Sequence, residues 1–417
     1  MRIAGAGCCL MDLLYPDVDF SSPAFEALRS KVEGDGGLSP GRLVFADDAE
    51  RFATRSSARA SGPRPFSEIL AEILGREPVP AAANVGGPSV VSLVHAAQML
   101  EGEDAAVAFH GAVGDDETGR SIRAMLGRSP LDLSRLVTRA GLTPSTTVLS
   151  DPDWDGGRGE RCFVNEIGAA ESFTPEDLGE EFFEADIVAL GGTALVPRLH
   201  EGLPSVLSRA RSRGALTVVN TVFDFRAERR DPVGAWPLGG PGAGPGAGPR
   251  PAESYRSCDL LVMDRDEALR LSGRSELAEA LDFFISSGVG AFAVSRGGDP
   301  VLAWAGGGRF APLALRELPI SERASLERAR DRMRGDTTGC GDNFAGGIIA
   351  ALALQLKAAA ARGAEALDLA DALSWGIAAG GFTLGVLGGT YYESRPGEKR
   401  ELVASYRDDW LRQAGAR

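Results

Sequence analysis

Histidine, cysteine and positive charge are what this chain has least of, and each shortage excludes something. Only three of 417 residues are histidine and five are cysteine. Cys8, Cys9, Cys162, Cys258 and Cys340 form no C-x-x-C pair and stand at no metal-like spacing to histidine, which excludes a cysteine-built metal framework. An odd, scattered set of thiols argues for a reducing cytoplasm over a disulfide scaffold. His95, His110 and His200 sit in unrelated contexts, with no ligand or triad spacing, and read as structural. No run of about 18 uncharged apolar residues offers a membrane span. The stretch AGAGCC has no adequate apolar segment before Cys8 to make a lipoprotein signal. A net charge of −14 argues against broad binding to nucleic acid or anionic membranes. It leaves room for a phosphorylated small ligand, because backbone dipoles and a metal ion reverse the field inside one cleft. The G-x-x-x-x-G-K-[ST] phosphate loop is also missing, which excludes a Walker-type nucleotide site.

The 54 glycines speak for many tight turns, and the apolar fraction of 44% with 24% charged residues is ordinary for a globular protein. Strand-like and helix-like segments alternate along the chain. ADIVALGG, PSVLSRARSRG and ALTVVNTV follow one another, as do CDLLVMD, RDEALRLSG, SELAEALDFFISSG and AFAVSRGG. This order predicts an α/β fold with a mostly parallel sheet and a ligand site beyond the carboxyl ends of its strands. RIAGAGCCLMDLLY reads as a first buried strand ending at Asp12. Between 13 and 85 the chain is irregular, with two short amphipathic segments, SPAFEALRSKV and PFSEILAEIL. Residues 237–251, PLGGPGAGPGAGPRP, read as a mobile surface loop within one domain spanning 1–417.

The most specific stretch is DTTGCGDNFAGG, residues 336–347, ahead of an apolar helical run. Gly339, Cys340, Gly341 and Asp342 there present successive backbone N–H groups at a helix N-terminus, where an anion is favoured. A carboxylate at Asp342 is suited to take the proton of a hydroxyl attacking a phosphate. A helix N-cap is the plainer alternative for the same aspartate.

This string resembles the second signature of the PfkB carbohydrate kinases, the ribokinase-like family, with Cys340 where alanine is usual. FHGAVGDDETGRSIRAML is similar to another motif of that family, through Gly111, Val113, Gly114, Asp116 and Gly119. The resemblance implies a three-layer fold, a central mostly parallel sheet and a small β lid, here from about 13–85 and 143–168. It implies an ATP-dependent kinase using Mg2+, with Asp342 as base and Gly339–Asp342 as anion hole. Asp12, Gly86 and Gly87 would hold the substrate; Ser295, Gly297, Gly298 and Gly388 would lie near the nucleotide. Glu267 and Asp264 would handle Mg2+ indirectly, in a motif where Asp264 replaces asparagine. Asp336 and Thr337 would shape a monovalent-cation (K+) site or a structural turn. Val91 stands where the Gly-Gly turn is usually followed by a substrate-binding asparagine. The acceptor is then a sugar, or else a nucleoside, and lid pairing into a homodimer is left open. A catalytically silent binding protein on the same scaffold is the alternative of a different class.

Overall fold

Apolar runs with alternating destinations organise the molecule. The computed structural model describes residues 1–32, 34–56, 64–157, 159–221, 253–329, 337–363 and 366–415; the 237–251 loop and Asp336 lie outside them. Strands β1 (Arg2–Gly7), β2 (Leu10–Tyr15), β3 (Leu43–Phe45), β4 (Ala82–Gly86), β5 (Ala106–Gly114), β6 (Leu136–Arg139) and β7 (Ser145–Asp151) come first. They are followed by β8 (Glu160–Glu166), β9 (Ile187–Gly191), β10 (Leu216–Asn220), β11 (Leu260–Asp264), β12 (Ala291–Arg296), β13 (Asp299–Ala305) and β14 (Leu313–Leu318).

Nine strands form one sheet in the order β14-β13-β12-β11-β10-β9-β1-β5-β6. From β6 to β12 every pairing is parallel; β13 and β14 add antiparallel at one edge. The central strands are buried on both faces, as near-continuous apolar sequences require. Ile187 and Ala189 of β9, Leu260 and Val262 of β11 and Ala291 and Ala293 of β12 enter one core. They pack there with the helices Pro88–Met99, Cys340–Arg362 and Leu369–Thr383. Their strand neighbours Val188, Leu190, Leu261, Met263, Phe292 and Val294 enter the opposite core with Leu203–Ser212 and Leu277–Ser287. The period of two that sets side-chain direction in a strand thus produces the three layers. By length and composition the helix Cys340–Arg362 is apolar enough to cross a membrane, but Asp342 and Lys357 bound its uncharged stretch at fewer than the about 18 residues sought in the sequence. Its residues Phe344 to Ala353 are buried in the first core.

The second sheet has five strands in the order β3-β8-β7-β2-β4. One face, through Tyr15, Val44, Leu149 and Val164, packs with Ala49 and Ala53 and with Ile69, Leu70 and Ile73 of the helices Ala46–Ser56 and Phe66–Leu74. Leu10 and Phe45, on the other face, join a core of the large sheet. Asp12 is not at the end of the first strand. The chain leaves the large sheet at Gly7, crosses at Cys8 and Cys9, and Asp12 lies inside β2.

Candidate active site

The carboxyl ends of the parallel strands meet the start of the Cys340–Arg362 helix. Gly7 is in register with Gly191, and Gly191 with Asn220. Asn220 Nδ2 donates to Asp342 Oδ1 at 3.4 Å. Gly339, with φ 74, is the helix N-cap and supplies no side-chain cap bond. Asp342 is therefore in the first turn, two residues past Cys340, which removes the N-cap explanation for it. A Cβ on Gly339 would stand 2.3 Å from Cα of Gly389, whereas one on Gly341 would meet nothing within 4 Å among the described residues. The turn is thus packed tightly behind Gly339 and open in front of Gly341. Asn343 N–H donates to Gly339 O at 2.9 Å, closing the first helical bond. Cys340 is half-buried, and all five cysteines are free thiols.

Acidic groups crowd this edge. Part of the Asp342 carboxylate faces the cleft, yet burial pushes its pKa up to about 6 against the opposing hydrogen bond from Asn220. Glu267 is pushed up to about 8 by burial first, then by repulsion from Asp264, with a smaller push from Asp342. Thr221 Oγ1 donates to Glu267 Oε2 at 2.6 Å, and the Asp264 N–H donates to the same oxygen at 2.9 Å. Glu267 N–H returns a 2.8 Å bond to Asp264 Oδ1. Asp264, in the position where the motif usually has asparagine, thereby completes a capping box at the helix Arg265–Ser272. Among the described residues no group of three or more His, Cys, Asp or Glu side chains is arranged as for a metal ion. Two carboxylates already sharing hydrogen bonds suit a hydrated cation held through water, as Mg2+ prefers.

On the substrate side, Asp12 is 7% exposed. A Cβ on Gly86 would come within 2.0 Å of Asp12 Oδ2, so only glycine lets that carboxylate lie over β4. Gly87, with φ 105, passes against Cys8 O, 2.7 Å from where its Cβ would be. Asp12 is in register with Asn84 on one side and Thr146 on the other, and Thr146 with Asn165. These four polar residues therefore share the face carrying Leu10 and Phe45. The Cys8 thiol is pushed well up by burial and then by Cys9, Asp12 and Asp342, so it senses both the substrate-side and the helix-side carboxylates.

Ser295, one residue before the end of β12, is in register with Asp264, and Gly297 (φ 62) and Gly298 turn the chain into β13. Gly388 is elsewhere: with φ 75 it lies against Asn84, whose Nδ2 would be 2.6 Å from its Cβ. Val91 fills the space beside Gly389, its Cγ2 3.2 Å from where a Cβ would stand there. Thr337 is exposed, and its hydroxyl accepts from Arg161 at 2.7 Å while Arg161 also donates to Thr338 Oγ1 at 2.5 Å. A guanidinium from β8 thus occupies the hydroxyl expected to face a monovalent cation. The histidines are structural in their contacts: His95 bonds Asn343, His200 bonds Thr193, and His110 meets Phe182 edge-on. Sequence reasoning missed Arg161, Asn220 and Thr221. Asn220 and Thr221 had one available signal, as polar residues ending the apolar run LTVV.

No curated protein sequence matches the chain. Among solved structures, a probable sugar kinase protein from Rhizobium etli CFN 42 is similar at 17% identity and TM-score 0.62, covering 100% of this chain and 99% of its own. The adenosine kinase of Sinorhizobium meliloti is similar at 18% identity and TM-score 0.59, covering 98% of each chain. An E. coli protein assigned as a ribokinase II, in complex with ATP and Mg2+, is similar at 14% identity and TM-score 0.59, covering 97% and 99%. At such identities these likenesses carry the fold. The family model of the pfkB carbohydrate kinases matches residues 82–394, most of the chain. The chain belongs to the pfkB family of carbohydrate kinases.

Proposed function

We propose that this protein transfers the γ-phosphoryl group of ATP to a hydroxyl of a small sugar-type substrate. The observation that carries the reading is Asp342: a carboxylate near pKa 6 in the first turn of a 23-residue helix, next to the open space before Gly341. A base poised near working pH both accepts a proton readily and is ionised when needed. The N–H groups at the start of that helix, at the positive end of its dipole, favour the charge building on the transferred phosphoryl group. Asp12, over Gly86, would accept a hydrogen bond from a substrate hydroxyl and orient its neighbour toward Asp342. The small sheet is the lid in this reading, its Asp12 face turned to the cleft. Mg2+, when bound, would neutralise phosphate charge; Asp264 and Glu267 fit it through water, and their mutual repulsion would then be relieved. The E. coli relative solved with ATP and Mg2+ supports that pair of ligands.

The test is ADP release over a panel of sugars and nucleosides with Mg-ATP. The Asp342→Asn variant is expected to lose about 10³-fold or more in kcat while binding nucleotide within threefold of wild type. In the wild type, kcat/KM should rise with pH through about 6, because the base acts only when deprotonated. Equal turnover in the variant would remove Asp342 from its role, and binding without turnover across the panel would favour a silent scaffold.

A nucleoside acceptor is the second reading, and one observation favours it. Asn165 Oδ1 is buried with no hydrogen-bond partner among the described residues, two strands beyond Asp12, or about 10 Å along the sheet. A substrate with a hydrogen-bond donor beyond its hydroxylated ring would satisfy it. Preference of the enzyme for nucleosides over free sugars in the same panel would decide for this reading.

A further inference from the structure

One of the two most deeply buried charged residues among those described, the other being Asp259, plays no part in the chemistry above. Lys399, at the start of the helix Glu398–Gln413, is 1% exposed. Its Nζ donates to Gln98 Oε1 at 3.0 Å and to Asn343 Oδ1 at 3.1 Å. Both partners are neutral amides, and no ion pair to this ammonium is present among the described residues. Keeping a cation out of water on such terms is costly. Burial lowers its pKa to about 7, against the attraction of Glu393, whose Oε1 accepts from the Lys399 N–H.

What this cost secures is the orientation of Asn343, the residue after Asp342. Asn343 Nδ2 donates to Gly339 O and to Gly389 O, both at 2.8 Å. Its Oδ1 receives Lys399 Nζ and lies 2.7 Å from His95 Nδ1. All four hydrogen bonds of the amide are thus made. The carbonyls of Gly339 and Gly389 can only accept, so the amide has a single allowed orientation. His95 is fully buried and held neutral, its pKa well below the usual value, so Nδ1 carries its proton. Through the two carbonyls Asn343 clamps Gly339 onto Gly389, the pair already in backbone contact. The segment after Gly389 is tied to the substrate strand: Thr390 Oγ1 donates to Val85 O, and Asn84 Nδ2 to Leu387 O and Thr390 O. Gln98 Nε2 donates to Tyr391 O, so both arms of Lys399 reach this segment.

We propose that Lys399 is a positioning residue, which through Asn343 and Gln98 sets the backbone turn Gly339–Asp342 against the Gly388–Tyr391 segment and hence against the strand bearing Gly86. The proposal rests on the kinase reading for its kinetic arm only. Lys399→Met leaves Asn343 Oδ1 with His95 alone and orphans Gln98 Oε1. Asn343→Asp keeps a partner for Lys399 but cannot donate to the carbonyls of Gly339 and Gly389, so it separates loss of the clamp from loss of a buried contact.

The experiment is amide hydrogen exchange over residues 337–347 and 386–392, together with kcat and KM of the full chain. Both variants are expected to accelerate exchange at least tenfold in both segments, with residues 277–287 unchanged. Both should lower kcat at least tenfold with KM values within threefold, and the double variant should be no slower than Asn343→Asp alone. Unchanged exchange in Asn343→Asp, or losses in kcat that multiply in the double variant, would overturn the proposal. If the wild type turns over no substrate, the kinase reading fails while the exchange arm still decides the positioning role.

Discussion

At the scale of single residues, the site is dominated by carboxylates held at unusual protonation states. Glu267 shows the consequence for stability. Its pKa is about 8 in the fold against an ordinary 4.5, so the folded chain keeps a proton that the unfolded chain releases between those values. Stability contributed by this group therefore falls as pH rises from about 4.5 to 8. Glu267→Gln keeps acceptors for Thr221 and the Asp264 N–H and removes the titration. Without divalent cation, the wild-type melting temperature is expected to decline more steeply than the variant's across that window, leaving the variant a few degrees more stable at pH 8. Parallel melting curves would show that Glu267 is not the strained group. The place of Asp342 in the first turn of a helix was legible from the sequence, because its glycines are contiguous with it. Asn220 and Arg161 were not, since they reach the same turn across 122 and 177 residues. A lone polar residue on a strand carries no local mark of what it will meet.

At the scale of elements, the glycine contacts decide what the turns tolerate. Gly339→Ala would combine a left-handed φ, about 1–2 kcal/mol for an ordinary residue, with a Cβ 2.3 Å from the Gly389 backbone. The expected outcome is a fall in kcat of at least 100-fold and a lower melting temperature. Gly341→Ala, whose Cβ meets no atom of the described residues, should keep the melting temperature within about 2 °C while still weakening ATP binding in calorimetry. Equal thermal effects of the two substitutions would contradict the packing described here. The parallel sheet and its helices were readable because each apolar run has a length and period that only one element satisfies. The passage from β1 to β2 was not readable. RIAGAGCCLMDLLY is apolar between Arg2 and Asp12, and the change of sheet at Cys8 and Cys9 is made by partners far along the chain, Gly191 and Pro144.

At the scale of the whole molecule, Arg161 links the two sheets. It lies on β8 of the small sheet and donates to Thr337 and Thr338, just ahead of the Gly339–Asp342 turn. Hydrogen bonds from a charged donor are worth about 1.5–3 kcal/mol each, enough to govern how the small sheet settles over the cleft. Arg161→Met is expected to lower kcat/KM for the acceptor about tenfold or more while leaving ATP affinity of the acceptor-free protein within threefold. An equal loss for both ligands would place Arg161 at the nucleotide instead. The shared strand lead-in has a further consequence. The small sheet draws its strands from five separate stretches between Leu10 and Glu166, with β1 of the large sheet ahead of them and β5 and β6 interleaved among them. No single cut of the gene separates the two sheets, because every fragment that holds the whole small sheet also carries β5 and β6. A chain nicked by protease in a loop between strands should therefore hold together as a non-covalent whole, and neither sheet can be exchanged between relatives as a cassette.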